Sequence, residues 1–167
     1  MLDAELSGGL TARFLKGVLV ASGMESVADE LQSAVQIAVR LRRMDETAAA
    51  KRFAPGKWSN KEILGHLVDS AANNHQRFVR LQLAPSINLP GYDGDEWVRV
   101  QGYQERPWVE IVDLWANYNT QLVSVIRHVD PAALKNVWHM PDGKDVDLEF
   151  IMRDYVVHLR HHLDQIQ

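Results

Sequence analysis

The sequence contains no cysteine. This absence excludes disulfides, zinc bound through thiolates and a protein thiol as nucleophile, and it suits a reducing cytoplasm. No apolar run approaches the roughly 20 residues that a membrane-spanning helix needs, so we expect no membrane partner. There is also no basic excess, because 18 Lys and Arg stand against 22 Asp and Glu for a net charge of -4. We therefore expect no nucleic-acid partner.

What is present fits one domain, since the chain has 167 residues and 46% of them are hydrophobic. The first 23 residues stand apart. The segment 16–21 weakly resembles the apolar part of a signal peptide, but it is too short and poorly flanked. We interpret residues 1–23 as an N-terminal extension or a short packing helix, and residues 24–167 as the domain.

Apolar residues recur at spacings of three and four in four segments, which predicts helices over about 26–44, 59–83, 107–129 and 147–166. Ser59 and Glu62 form a capping-box pattern at the start of the second helix. Pro107 suits the start of the third. Asp142-Gly143 predicts a turn within a small hairpin. Four amphipathic helices with one long connection, between the second and third, predict an all-α four-helix bundle.

The long connection spans residues 85–106 and is rich in aromatic residues, among them Tyr92 and Trp97. A loop of this length in a compact domain is usually functional. The alternative is that the aromatic rings simply close one end of the bundle. Both interpretations stay open at this point.

Among seven histidines, His158 and His162 form the informative pair. At a spacing of i and i+4 on a helix, their rings project from one face and can bind one metal ion. His66 in the second helix is the best third ligand. Three neutral imidazoles suit zinc, nickel, iron(II) or manganese and leave a coordination position open. The alternative is an ordinary polar helix face. His161 lies about 100° round the helix from His162, so we expect it at the surface.

Three stretches resemble a known family: Lys57 to Ser59 leading into Glu62 to Ser70, then Tyr92-Asp93 with Trp97, and last Tyr155 to Ile166. On these residues the sequence resembles the DinB-like superfamily, and within it the YfiT-type metal-dependent hydrolases and thiol S-transferases. The resemblance covers about residues 26–167, and it implies nothing about the first 23 residues.

The resemblance implies a metal triad of His66, His158 and His162. It implies an up-and-down four-helix bundle with a long connection between helices two and three, often dimeric, so we expect a homodimer acting on a small molecule. Family members include enzymes that join a low-molecular-weight thiol to an electrophile, others that isomerise with a thiol's help, and many without an established reaction. The family therefore indicates the site better than the reaction.

Three hypotheses follow for function. The first, which the resemblance favours, is a metal-dependent thiol S-transferase, in which zinc or nickel, or else iron or manganese, activates a small thiol from outside the protein. Two helix-two residues after His66, Asn73 and Arg77, would orient the substrates, and Arg77 would hold an anionic group unless it forms a surface ion pair. Tyr92 and Trp97 would wall the pocket.

The second hypothesis is hydrolysis by a metal-activated water. Asp69 or Asp154, each within one turn of a predicted ligand, would then act as general base, or would hold a ligand imidazole by its other nitrogen. The third hypothesis is a metal-binding or ligand-binding bundle without turnover. A pocket that opens on the metal would favour the two enzymatic hypotheses.

Overall fold

The computed structural model of the protein describes residues 23–167. Apart from residue 23, the predicted extension lies outside the described residues. The chain is mostly helical, and its elements follow in this order: α1 (23–35), α2 (Ala38–Leu41), α3 (Glu46–Ala50), α4 (Asn60–Leu83), β1 (Ser86–Asn88), α5 (Gly94–Gln101), a 3-10 turn (Tyr103–Glu105), α6 (Trp108–Arg127), a 3-10 turn (Pro131–Lys135), β2 (Val137–His139), β3 (Asp145–Asp147) and α7 (Leu148–Leu163).

The four predicted helices correspond to α1 with α2, α4, α6 and α7. The capping box at the start of α4 is confirmed: Ser59 Oγ accepts from the Glu62 amide, and Glu62 Oε2 accepts from the Ser59 amide at 2.9 Å. The predicted first helix is wrong in its second half. It breaks into a turn at residues 36–37, resumes as α2 and ends at Leu41.

The connection between α4 and α6 is structured, which the sequence pattern did not indicate. It holds β1, α5 and a 3-10 turn. Asp93 caps α5 by accepting from the Glu96 amide, and Gly102 ends it with a φ of 63°, a left-handed conformation that glycine adopts without strain. These local signals span only two turns of helix, too short for a periodicity to stand out.

The all-α prediction needs correction, because β1, β2 and β3 form a small sheet. The predicted hairpin is confirmed: β2 and β3 pair antiparallel around the turn at Asp142-Gly143. Strand β1 adds in parallel to β2, with Ile87 opposite Trp138. That pairing joins segments about 50 residues apart, so no local pattern could reveal it. The sheet ties the end of α4 to the segment before α7.

The core lies around α4, which packs against both α6 and α7. Its largest fully buried side chains include Trp108, Trp115, Tyr155 and Phe78. The Trp108 indole donates to the Leu41 carbonyl at 2.7 Å, and the Tyr155 hydroxyl donates to Asn119 Oδ1 at 2.6 Å. This packing makes α4 and α7 neighbours. Within residues 23–167, no helix is long and apolar enough to cross a membrane.

Candidate metal centre

The three predicted metal ligands lie together. His66 is in the second turn of α4, and His158 and His162 are in the last two turns of α7. The Nε2 atoms of His66 and His158 are 3.3 Å apart. The His162 ring centroid lies 4.7 Å from that of His66 and 4.6 Å from that of His158. One nitrogen from each ring falls within 4.8 Å of the others, so the cluster can hold a metal ion.

The surroundings keep these imidazoles neutral. Burial, reinforced by repulsion from the other two histidines, lowers the pKa of His66 to about 4. Burial likewise lowers the pKa of His162 to about 4, with repulsion from His158 and His161 as smaller causes. Burial also lowers the pKa of His158, against the attraction of Asp154. Neutral rings near pH 7 offer lone pairs to a cation, as metal ligation requires.

Two residues hold the rings in place by close packing. The Trp58 ring centroid lies 5.0 Å from that of His66 and 6.3 Å from that of His162. Gly94 at the start of α5 also approaches so closely that a Cβ there would lie 3.1 Å from His66 Cε1. The Nδ1 atoms of His66 and His162 are buried and have no hydrogen-bond partner within the described part of the chain.

Two cavities border the cluster, one beside His162 and one beside His158. The first has a volume of about 450 Å³ and is walled in part by Trp58 and Asp95. The second has a volume of about 200 Å³ and places Arg77 and Tyr92 with His158. The rest of this second cavity is formed by Ser70, Asn74, Trp138, Met140, Val146, Phe150, Ile151, Asp154 and Tyr155. The histidine cluster is therefore open from two sides.

The two aromatic residues predicted to wall the pocket lie in different places. Tyr92 lines the second cavity, with its ring centroid 6.4 Å from that of His66. Trp97 packs behind Tyr92 at 5.1 Å between centroids and is 37% exposed on the outer face of α5. Trp97 borders neither cavity and can act on the site only through Tyr92.

Asp69 is buried and faces the connection rather than the imidazoles. Its Oδ1 accepts from the Tyr103 hydroxyl at 2.7 Å and from Gln101 Nε2 at 3.0 Å. Within residues 23–167 the Asp69 carboxylate bonds only to these two side chains, so the expected contact with a ligand imidazole is not formed. Burial raises the pKa of Asp69, although both hydrogen bonds oppose the change. Asp154, by contrast, borders the second cavity beside His158.

The other two helix-two residues differ in their surroundings. Asn73 uses its amide locally, donating from Nδ2 to the Asp69 carbonyl at 2.9 Å, and it borders neither cavity. Arg77 is buried and lines the second cavity. Its surface ion pair, the alternative interpretation, is not formed: no carboxylate of residues 23–167 lies within salt-bridge distance.

Of the remaining histidines, His161 is exposed as expected, and its Nε2 lies 3.0 Å from Gln165 Nε2. His75 packs edge-on against Tyr118, 5.6 Å between centroids. His128 and His139 are exposed. None of these four joins the three-histidine group.

Sequence reasoning missed several residues around the site. Trp58 belonged to the stretch that resembles the family, but its contact with two imidazoles was not foreseen. Trp138 was assigned to the hairpin, and only the pairing of β1 with β2 carries it to the second cavity. Ser70 and Asn74 on α4 also line the second cavity. Their polarity on an otherwise apolar face was the available signal.

A mostly helical bundle with three histidines converging from two helices defines a class of candidate metal-binding bundle proteins. The chain belongs to the DinB superfamily, whose sequence profile matches residues 30–166. This confirms the resemblance read from the motifs.

Two curated relatives are each named "putative metal-dependent hydrolase". One, from Halalkalibacterium halodurans, is 24% identical over 127 residues, which cover 74% of this chain and 72% of the relative. The other, YfiT from Bacillus subtilis, is 24% identical over 155 residues, which cover 86% of this chain and 78% of YfiT.

The solved structure of YfiT matches this fold with a TM-score of 0.73 at 20% identity, covering 87% of this chain and 83% of YfiT. That structure is described as a four-helix bundle of unusual topology. At this identity the likeness shows the fold alone. It supports the predicted four-helix bundle, and the described part of this chain also contains the three-stranded sheet.

Proposed function

We propose that this chain is a metal-dependent enzyme that transfers a low-molecular-weight thiol to an electrophilic substrate at His66, His158 and His162. The observation that carries the proposal is the position of the histidine cluster between two separate cavities. A reaction that joins two molecules needs space for both beside the reacting centre, whereas hydrolysis needs space for one substrate and a water.

The donor set fits a divalent metal ion. Two nitrogens that share a tetrahedral zinc at about 2.0–2.1 Å lie about 3.3 Å from each other. The Nε2 atoms of His66 and His158 are 3.3 Å apart. All three imidazoles have lowered pKa values and are ready to donate lone pairs. Zinc and nickel suit such a set best, and iron or manganese are further candidates.

His66, His158 and His162 would hold a divalent metal, which would supply Lewis-acid chemistry that lowers the pKa of an incoming thiol or water. The chain's own residues provide the enclosure. Trp58 packs against His66 and His162 and forms part of the wall of the first cavity. Tyr92 walls the second cavity, and Trp97 supports Tyr92 from behind. Asp69 and Asn73 line neither cavity, so we assign them positioning roles within α4 and its connection.

The sulfur must come from outside, because the chain contains no cysteine. In the transfer, the bond between the thiol sulfur and the electrophilic carbon forms as the bond from that carbon to its leaving group breaks. The leaving group departs with the electron pair, and the thiol proton passes to solvent through the open cavity. No oxidant or reductant is needed.

Hydrolysis is the second candidate, and two observations favour it. The relatives carry hydrolase names, and the Asp154 carboxylate borders the second cavity beside His158, where it can accept a proton from water. A bundle without turnover has less support, since two cavities open on the cluster. We further propose a homodimer, for which sedimentation velocity is the direct measurement.

The test is product formation by the metal-loaded protein with a model electrophile, such as an aryl chloride, with and without 2-mercaptoethanol. Thiol transfer predicts that product forms only with the thiol present, and that His158→Ala abolishes it. Hydrolysis predicts turnover of an ester or amide without any thiol. Full product formation by His158→Ala would overturn both enzymatic proposals at this site.

A further inference from the structure

Arg77 is a buried cation whose charge no described side chain neutralises. It is 8% exposed on α4. Its Nη1 donates to Asn74 Oδ1 at 3.1 Å, and its Cζ lies 3.9 Å from the centre of the Trp138 ring. No carboxylate of residues 23–167 lies within salt-bridge distance of it. Burying an unpaired charge is costly, and buried arginines are normally paired with an anion.

The packing of Arg77 fixes the plane of its guanidinium. Trp138 covers one face of the group, and Asn74 holds one nitrogen. A guanidinium has five N–H donors, and the Asn74 bond uses one of them. The remaining nitrogens are not sealed in the core, because none is among the buried polar atoms without a partner. They are accessible on a side chain that lines the second cavity.

The same cavity ends at the histidine cluster. Its polar lining includes Arg77, Tyr92 and the Asp154 carboxylate, its apolar lining includes Val146 and Ile151, and His158 borders it. Its volume of about 200 Å³ is below the roughly 300–1,000 Å³ of sites for drug-sized ligands, so the occupant is small. A cavity lined by both Arg77 and His158 accepts a small molecule whose acidic group pairs with Arg77 while its reacting atom lies near His158.

We propose that Arg77 binds the carboxylate of a small organic acid, so that one of the two substrates of the histidine centre is an anion held by its acid group in the second cavity. The role of this acid as a substrate rests on the proposed function, whereas the binding of its carboxylate rests on the surroundings of Arg77. A planar carboxylate matches the guanidinium fork with two parallel hydrogen bonds. The acid group belongs either to the electrophile or to the thiol.

A binding measurement tests the acid site without using activity. Benzoate and the neutral benzamide are titrated by calorimetry into metal-loaded wild-type protein, Arg77→Met, Arg77→Lys and Arg80→Met. Arg80 is the matched control, because it lies one turn further on α4 but is exposed and bonded to Gln76. Metal content and far-UV circular dichroism check that each variant is folded and loaded.

We expect benzoate to bind wild type and Arg80→Met equally and at least about tenfold more weakly to Arg77→Met, since a hydrogen-bonded charge is lost. Arg77→Lys keeps part of the affinity, and benzamide binds none of them well. If benzoate binds Arg77→Met as tightly as it binds wild type, it is held at the metal rather than by Arg77. That result would overturn the proposal. Absence of benzoate binding to wild type would overturn it as well.

Kinetics then distinguish the two sources of the acid group. In the first experiment the thiol is always 2-mercaptoethanol, and the electrophile is either 4-chloro-3-nitrobenzoate or its neutral amide. In the second experiment the electrophile is always that amide, and the thiol is either 3-mercaptopropionate or the neutral 2-mercaptoethanol. Arg77→Met should raise KM for the acidic member of one pair alone, with kcat little changed. If no thiol transfer occurs but benzoate binding still depends on Arg77, the proposed function fails and the acid site stands.

Discussion

The ring of Tyr103 lies directly against the α carbon of Gly65, so that a Cβ at residue 65 would be 2.2 Å from Tyr103 Cδ2. Gly65 immediately precedes the predicted metal ligand His66. The hydroxyl of the same tyrosine donates to Asp69, one turn further along α4. The long connection is therefore attached to α4 beside the histidine cluster, by a close packing contact and by a hydrogen bond.

Gly65→Ala should destabilise the protein. Alanine is favoured over glycine in a helix by about 1 kcal/mol. The added methyl group would overlap a buried ring, and overpacking of this kind costs about 1–3 kcal/mol. We expect a net loss in the free energy of unfolding, measured by urea denaturation. Gly91→Ala is the control, because nothing lies within 4 Å of its added Cβ. Equal stability of the two variants would show that the ring moves aside freely.

Tyr103→Phe removes the shortest hydrogen bond to Asp69. The Asp69 Oδ2 atom is already buried without a partner, so the carboxylate would keep only the bond from Gln101. Leaving a buried charged group poorly bonded costs about 1–3 kcal/mol. Tyr118→Phe offers a comparison, since its hydroxyl lies 3.3 Å from His75 Nδ1 in a partly exposed pair. We expect Tyr118→Phe to lower the urea midpoint less than Tyr103→Phe does. An equal effect of the two variants would contradict the role of Tyr103.

Metal binding should follow the cluster and not the histidine content of α7. Elemental analysis of wild type should give about one equivalent of divalent metal, because one triad is present. His162→Ala should lose it, and so should His66→Ala and His158→Ala. His161→Ala, one residue from His162 but exposed, should retain it. A wild type that takes up no zinc would show that the three imidazoles are not a metal site.

Acid should destabilise the metal-free protein. The pKa of His66 and of His162 is about 4 in the folded state, against 6.5 for a free histidine. Between these values the unfolded chain binds protons that the folded chain does not, so the histidines' contribution is complete above about pH 6.5 and lost as the pH falls. Urea unfolding of chelator-treated protein at about pH 5 and about pH 7.5 measures the difference. Replacing both histidines with glutamine should reduce this difference in the free energy of unfolding between the two pH values. An unchanged pH dependence would contradict the assigned pKa values.

The helices were predictable because their signals are local. The capping box of Ser59 and Glu62 marks the start of α4 within four residues, and the apolar spacing that follows identifies its inner face. The same holds for His158 and His162, whose spacing alone places both rings on one side of α7. His66 was chosen as the third ligand from its place in the second helix, and the family resemblance then supported that choice.

The helices, their inner faces and one pair of candidate ligands depend on residues within a few turns of one another, so they could be predicted from local patterns. The contact of His66 with His158 across 92 positions, the bond of Tyr103 to Asp69 and the burial of Arg77 on Trp138 arise from the packing of distant elements. These contacts depend on which elements pack together. That choice minimises the exposed apolar surface of the whole chain, and a periodicity within one element carries no record of it.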